Sequence, residues 1–411
     1  MIDFEQELRA VATIKVIGVG GAGGNTVNSI IDSGYHGVEC IVANTDSQAL
    51  ELSKAATKIQ LGVKSTKGLG TGANPEFGKR AAEEDLDKIM EQIEDADIVF
   101  LTAGMGGGTG SGAMPVIAKA IKEKGILCIA VVTKPFTFEG KKRGKVAQEA
   151  LEQLRKTVDT LLVIPNQKLL EFVGTHVSMI DAFAMINDVL GQSVKGISDI
   201  ITKPGYINVD FADVKTIMQS RGLAIMGTGR AAGAGRAQEA ALRAISSPLL
   251  ENMSIKGARG VLINITGGKD LGLHEISQAA QVIYDQVNGQ EDQLGEETNI
   301  ILGSVIDQTM TDEIAVTVIA TGFVDAVTIT PTVVAQSELI QPAQSIGQEM
   351  PALVTQVVAK LNETVAQPAV EKSPESVQAQ PVIQQVVIEL PMHIDMSDLD
   401  VPAFMRKDNA Q

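Results

Sequence analysis

The 411-residue chain has no tryptophan, and aromatic residues make up only 3% of it. Its core must therefore be built from branched aliphatic side chains and alanine instead of stacked rings. Cysteine is nearly absent. Cys40 and Cys128 are the only two, and both fall in apolar, strand-like runs, so they are expected to be reduced core residues and not a disulfide or a metal pair. Four scattered histidines offer no zinc-ligand spacing, so composition and spacing give no metal-ligand set. Positive charge is scarce too: 34 Lys and Arg stand against 50 Asp and Glu, a formal net charge of −16. That balance argues against DNA or RNA as a general ligand, because backbone binding depends on clustered cations. No apolar run approaches the ~20 residues that span a bilayer. Residues 1–7 carry neither a basic stretch nor an apolar core, so no signal peptide is expected and a cytoplasmic location is.

Glycine is plentiful and unevenly placed. Of 40 glycines, only Gly347 lies beyond Phe323. From about Ile329 the chain turns rich in Gln, Val, Pro and Ala, with prolines at 331, 342, 351, 368, 374, 381 and 391. Prolines at that spacing interrupt helices and strands, which makes 326–396 a flexible linker. Residues 397–411 regain an amphipathic look: Val401, Phe404 and Met405 share a face, with acids before them and bases after. A short peptide of this kind behind a linker suits a partner's groove.

Two glycine loops carry the chemistry. Ala96 to Leu101 reads as a buried strand, and Gly104 to Gly112 follows as G-M-G-G-G-T-G-S-G. Residues without Cβ let successive N–H groups turn toward one point, and such a concavity at a helix start binds phosphate oxygens. Thr109 and Ser111 add hydroxyls. Near the N-terminus, strand 14–17 runs into Gly18-Val-Gly20-Gly21-Ala-Gly23-Gly24-Asn25. Gly18, Gly20 and Gly23 satisfy G-x-G-x-x-G, which by itself suggests an NAD-type dinucleotide enzyme. Two such loops in one α/β sheet could instead face each other and hold a polyphosphate. The ordinary P-loop pattern G-x-x-x-x-G-K-[S/T] is absent.

Strands are expected at 13–18, 38–43, 96–103, 126–133 and 160–164, with helices near 25–33, 76–93, 113–124 and 143–156. This pattern predicts an α/β fold with a doubly wound parallel sheet. A long helix is expected from Ser178 to Ile201, ending at Lys203-Pro204-Gly205. The second half offers strands near 223–229, 259–266, 299–307 and 313–321 and helices near 211–219, 235–246 and 272–287, a smaller α/β domain with a mostly four-stranded sheet. The expected domains are 1–177, the central helix 178–204, 205–325, the linker 326–396 and the terminal peptide 397–411.

Taken in order, these motifs resemble the tubulin/FtsZ family of cell-division GTPases. Gly106 to Gly112 matches its phosphate loop, and Asn208-Val-Asp210-Phe-Ala-Asp213 matches the loop that family inserts into a neighbouring subunit's nucleotide site. The likeness extends through Gly68 to Pro75, Thr133 to Phe136, Glu139 to Arg143 and Ile164 to Asn166. It covers residues 10 to about 322, and Asp400 to Arg406 is similar to the family's adaptor-binding peptide.

The resemblance implies GTP or GDP as ligand, with Mg2+. Gly20, Gly21, Ala22, Gly23, Gly24 and Asn25, with Gly106, Gly107, Gly108, Thr109 and Gly110, would cradle the phosphates, Thr109 nearest the terminal one. Asn44 and Asp46 would contact nucleotide and magnesium. Gly70, Thr71, Gly72 and Ala73 belong to the loop that senses the terminal phosphate. Thr133 and Pro135 fall in a matched segment. Glu139 and Arg143 would meet ribose or phosphate. Asn166, Phe183 and Asn187 would read the base, with Asp188 an open alternative to Asn187. Asn208, Asp210 and Asp213 would act catalytically from the next molecule of a head-to-tail homopolymer. The implied partners are further copies of the chain, division regulators, and membrane adaptors of the FtsA or ZipA type, at a mid-cell ring beneath the inner membrane. Each residue also has an ordinary reading: Asp213 as a helix cap, Asn208 as a turn residue, Phe183 as core, and Glu139 and Arg143 as solvated charges.

Overall fold

The computed structural model describes residues 12–172, 177–203, 205–219, 222–247, 255, 257–288 and 298–323. The expected linker and terminal peptide lie outside them.

Short apolar runs form the parallel strands β1 (Ile14–Val19), β2 (Glu39–Asn44), β3 (Thr57–Gln60), β4 (Ile98–Gly104), β5 (Leu127–Lys134) and β6 (Thr160–Pro165), laid side by side as 3-2-1-4-5-6. Alternation sorts their side chains between two cores. On β4, Val99 and Leu101 point into one and Ile98 and Phe100 into the other. The first core is covered by α3 (Pro75–Glu84), α4 (Leu86–Glu91), α5 (Thr109–Glu123) and α6 (Lys141–Thr157). The second is covered by α1 (Gly20–Asp32), α8 (Met179–Thr202) and α9 (Phe211–Met218). The sheet is thus doubly wound, as the alternation of elements predicts.

The second half contributes β7 (Gly222–Ala232), β8 (Gly260–Gly267), β9 (Asn299–Ile306) and β10 (Glu313–Thr321), with α10 (Arg236–Ile245) and α11 (Leu273–Asn288) over a third core. The four expected strands are present. They do not form a separate sheet. Thr160, Leu161 and Leu162 of β6 register in parallel against Gly222, Leu223 and Ala224 of β7, making one ten-stranded sheet.

Several boundaries differ from expectation. The helix expected at 76–93 is broken at Asp85, whose φ of −118° and ψ of 21° are not helical. The Asp85 carboxylate instead accepts from the amides of Gly62 and Val63. The glycine loops run into their helices early: α1 begins at Gly20 and α5 at Thr109, five and four residues earlier than the sequence suggests. Packing explains the first case. A methyl on Gly18 would collide with the carbonyl of Gly23, and one on Gly23 with the carbonyl of Thr102, so only this pair lets α1 lie directly on the sheet. Cys128 is fully buried, and Cys40 is partly buried against the second core. Burial pushes the Cys40 thiol up to about 11, so it stays protonated. Among the described residues no helix is long and apolar enough to cross a membrane.

Candidate functional site

A cavity of about 430 Å³ opens where the chain reverses its direction of winding, between the C-terminal ends of β1 and β4. Open α/β sheets bind ligands at this topological switch point. Val19 ends β1, Gly104 ends β4, Thr133 is near the end of β5, and Asn166 directly follows β6; all four line the cavity.

Its electrostatics come mainly from helix ends. Helices α2 (Ser47–Glu51), α3, α8 and α9 begin with side-chain caps from Asp46, Asn74, Ser178 and Asp210. Helices α1 and α5, which open onto the cavity, have no side-chain cap and no acid in the first turn. Their free amides and dipoles favour an anion. Helix α6 is similar, and its third residue, Arg143, lines the cavity. Arg143 is ion-paired with Glu139, the sole carboxylate on the wall among the described residues.

The other end of the cavity suits a planar polar group. Phe183 meets Phe136 edge-on at 5.6 Å between ring centres yet keeps 38% of its surface open. Asn166 is 5% exposed, and its Oδ1 has no hydrogen-bond donor among the described residues. Asn187 also lines the cavity, and its Oδ1 lies 3.5 Å from the Thr26 hydroxyl. Asp188 turns away: it accepts from Ser29 at 2.8 Å and lines a different depression.

Of the residues expected here, the cavity also gathers Gly20, Gly21, Ala22, Asn25, Thr71, Gly107, Gly108, Thr109, Gly110 and Pro135. Others stand behind the wall. Gly23 is a packing residue, and Gly24 faces Val42. Asn44 is buried and accepts from the amide of Asp46, while Asp46 caps α2 through the amides of Gln48 and Ala49. Gly70, Gly72 and Ala73 form the left-handed bends of the loop that carries Thr71, and Gly106 bends by donating its amide to Ser111. Met105, Ile186 and Leu190 line the cavity too. Apolar periodicity marks such residues only as core.

Asn208, Asp210 and Asp213 are not in this cavity. They follow the far end of α8, which runs 15 residues from Asn187 to Thr202, ~22 Å at the helical rise. Reciprocal bonds between Ile207 and Ser304 of β9 fasten their loop. Asn208 accepts from the amide of Gly205 at 2.9 Å, the turn role expected of it. The cap of α9 is Asp210, which accepts from the amide of Asp213 at 2.8 Å. Asp213 stands one turn on, its side chain exposed and not needed for capping. Among the described residues no cluster of His, Cys, Asp or Glu could hold a metal ion.

Residues 13–174 match the model of the tubulin/FtsZ family GTPase domain, and 222–324 that of the FtsZ family C-terminal domain. FtsZ from M. jannaschii, solved as an empty dimer, is 43% identical over 76% of this chain and 88% of its own, with a TM-score of 0.71. Two Haloferax volcanii proteins share the fold at lower identity. CetZ2, solved as a GTPγS-bound protofilament, is 21% identical over 75% of this chain and 92% of its own, TM-score 0.63. CetZ1, solved as a GDP-bound monomer, is 22% identical over 76% and 95%, TM-score 0.65. With both halves of the fold matched and the identity to an archaeal FtsZ this high, the chain belongs to the FtsZ family of tubulin-like GTPases.

Proposed function

We propose that the cavity holds GTP and that its hydrolysis is completed by Asn208, Asp210 and Asp213 of the next molecule in a head-to-tail filament. One observation carries this reading: the phosphate-binding helix ends and the exposed acidic loop lie at opposite ends of α8. Among the described residues the cavity offers one carboxylate, Glu139, and that is ion-paired with Arg143. A second copy stacked on the first would bring both carboxylates to the phosphates.

In this assignment the phosphates sit on the amides opening α1 and α5, the guanine stacks on Phe183, and its N–H donors meet the carbonyl oxygens of Asn166 and Asn187. Asp210 and Asp213 orient the attacking water, while the fixed amides stabilise the charge that develops on the phosphoryl oxygens. Mg2+ suits a wall with a single, paired carboxylate, because that ion is held largely by phosphate oxygens and water; bound there, it would neutralise phosphate charge. A nicotinamide dinucleotide would seat its pyrophosphate on the first glycine loop and give the second no role. Residues 397–411 would recruit membrane adaptors of the FtsA or ZipA type, and assembly would serve a division ring beneath the inner membrane.

The test is Asp213→Ala. GTP affinity should stay within twofold of the parent while turnover drops about 100-fold or more, the usual scale for removing a proton-handling side chain. Full turnover in the variant would contradict the assignment.

A further inference from the structure

Thr45 joins the two loops expected to handle phosphate, and nothing in the sequence motifs singles it out. It is fully buried between β2 and α2. Its hydroxyl lies 2.7 Å from that of Thr109, the first residue of α5, and either oxygen can be the donor. Its carbonyl accepts from the amide of Gly70 at 3.2 Å and from the Thr66 hydroxyl at 3.4 Å. The next residues extend the same seam: Asp46 bridges Leu69, and the amide of Ser47 donates to the carbonyl of Gly68 at 3.1 Å.

The remaining bonds of loop 68–73 are mostly local, with Leu69 donating its amide to the carbonyl of Thr66 and Asn74 donating its amide to that of Thr71. Leu69 is 87% exposed, and Gly70, Gly72 and Ala73 all take left-handed φ values. Thr71 reaches back toward the cavity, with its hydroxyl 3.5 Å from that of Thr109. Two hydroxyls thus converge on that of Thr109, with Thr45 the tight contact and Thr71 the loose one.

A hydroxyl has one proton to give. If Thr109 donates to a terminal phosphate oxygen, Thr45 must donate to Thr109. Without that oxygen, Thr109 is free to donate to Thr45 or to Thr71. The direction of the chain of hydroxyls therefore depends on what Thr109 faces, and the residue whose hydroxyl takes part in it also holds Gly70 through its carbonyl.

We propose that Thr45 is a positioning residue that couples a terminal phosphate at Thr109 to the conformation of loop 68–73, so that the site distinguishes a nucleoside triphosphate from a diphosphate. This rests on the reading of the cavity as a GTP site. The new element is the route through Thr45.

The test compares full-length parent, Thr45→Val and Thr45→Ser. Valine keeps the shape and removes the hydroxyl; serine keeps the hydroxyl. Affinities for GDP and for a non-hydrolysable GTP analogue are measured by calorimetry, and amide hydrogen exchange of 66–73 is followed as one nucleotide replaces the other. In Thr45→Val, GDP affinity should stay within twofold, while the analogue should weaken about fivefold, the scale of one lost neutral hydrogen bond. The nucleotide-dependent change in exchange at 66–73 should vanish, and serine should restore both. Equal weakening of GDP and analogue would reduce Thr45 to a structural residue and overturn the proposal, as would a valine variant that keeps the exchange response. If the parent itself binds neither nucleotide, the assignment of the cavity fails first, and the route through Thr45 with it.

Discussion

At the scale of single residues, the most informative atom is Oδ1 of Asn166. Buried acceptors are nearly always satisfied, and this one, on the cavity wall, has no donor among the described residues. In the proposed assignment a guanine edge would supply the N–H groups it lacks. Asn166→Ala should therefore weaken GTP binding about tenfold, within the range for a buried polar contact, while leaving the fold intact. Calorimetric titration with GTP decides this, and an unchanged affinity would move the base elsewhere. The amide was legible in the sequence as a candidate base reader, as were Phe183 and Asn187. The choice between Asn187 and Asp188 was not. It turns on a rotation of one residue around α8, and the bond from Ser29 to Asp188 settles where Asp188 points. Thr45 was invisible for a related reason. A threonine after a strand carries no motif, and its importance comes from a partner 64 positions away.

At the scale of elements, the strands and long helices were readable from apolar runs and glycine punctuation, but the helix starts were not. Glycine is a poor helix former, so Gly20 to Gly24 reads as a loop. In the fold those residues are held helical by contact with the sheet, which only tertiary packing can dictate. Strand β3 has just four residues and lies at the sheet edge, too short for a periodic signal.

The joint between α10 and α11 shows how an element can depend on charge. The buried guanidinium of Arg236 holds Glu275 through two bonds of 2.7 and 3.0 Å and Asp270 through one of 2.7 Å. The hydrogen bond to Arg236 keeps the Glu275 carboxyl below its ordinary range, and the Asp270 carboxyl likewise. A carboxylate depressed in the folded state contributes stability above its unfolded pKa, about 4.3 for glutamate, and loses that contribution as pH falls through the lower folded value. The melting temperature should fall by about 2–4 °C for each kcal/mol lost as acid is added below this point. Glu275→Gln should flatten that dependence. A parent protein whose melting temperature has the same acid slope as the variant would show that the joint contributes nothing.

At the scale of the whole molecule, the two halves that look like separate domains in the sequence share one sheet. Among the described residues three register pairs join β6 to β7, and no local pattern announces a contact between residues about 60 positions apart. That continuity, with α8 beside it, gives the sheet-bearing unit two unlike ends. The cavity opens at one, and the loop of Asn208, Asp210 and Asp213 lies at the other. Adaptor recruitment should be separable from this core: deleting 398–411 should leave assembly and GTP turnover within twofold of the parent and abolish pull-down of adaptors of the FtsA or ZipA type. Retained binding would remove the terminal peptide from the account.

The proposed mechanism requires that one copy's cavity depend on the next copy's acids. Phosphate release on adding GTP, followed with light scattering across a protein titration, measures this directly. Turnover per molecule should be near zero in the dilute protein and climb steeply at the concentration where scattering appears. A rate per molecule that stays constant through that transition would contradict a site shared between subunits.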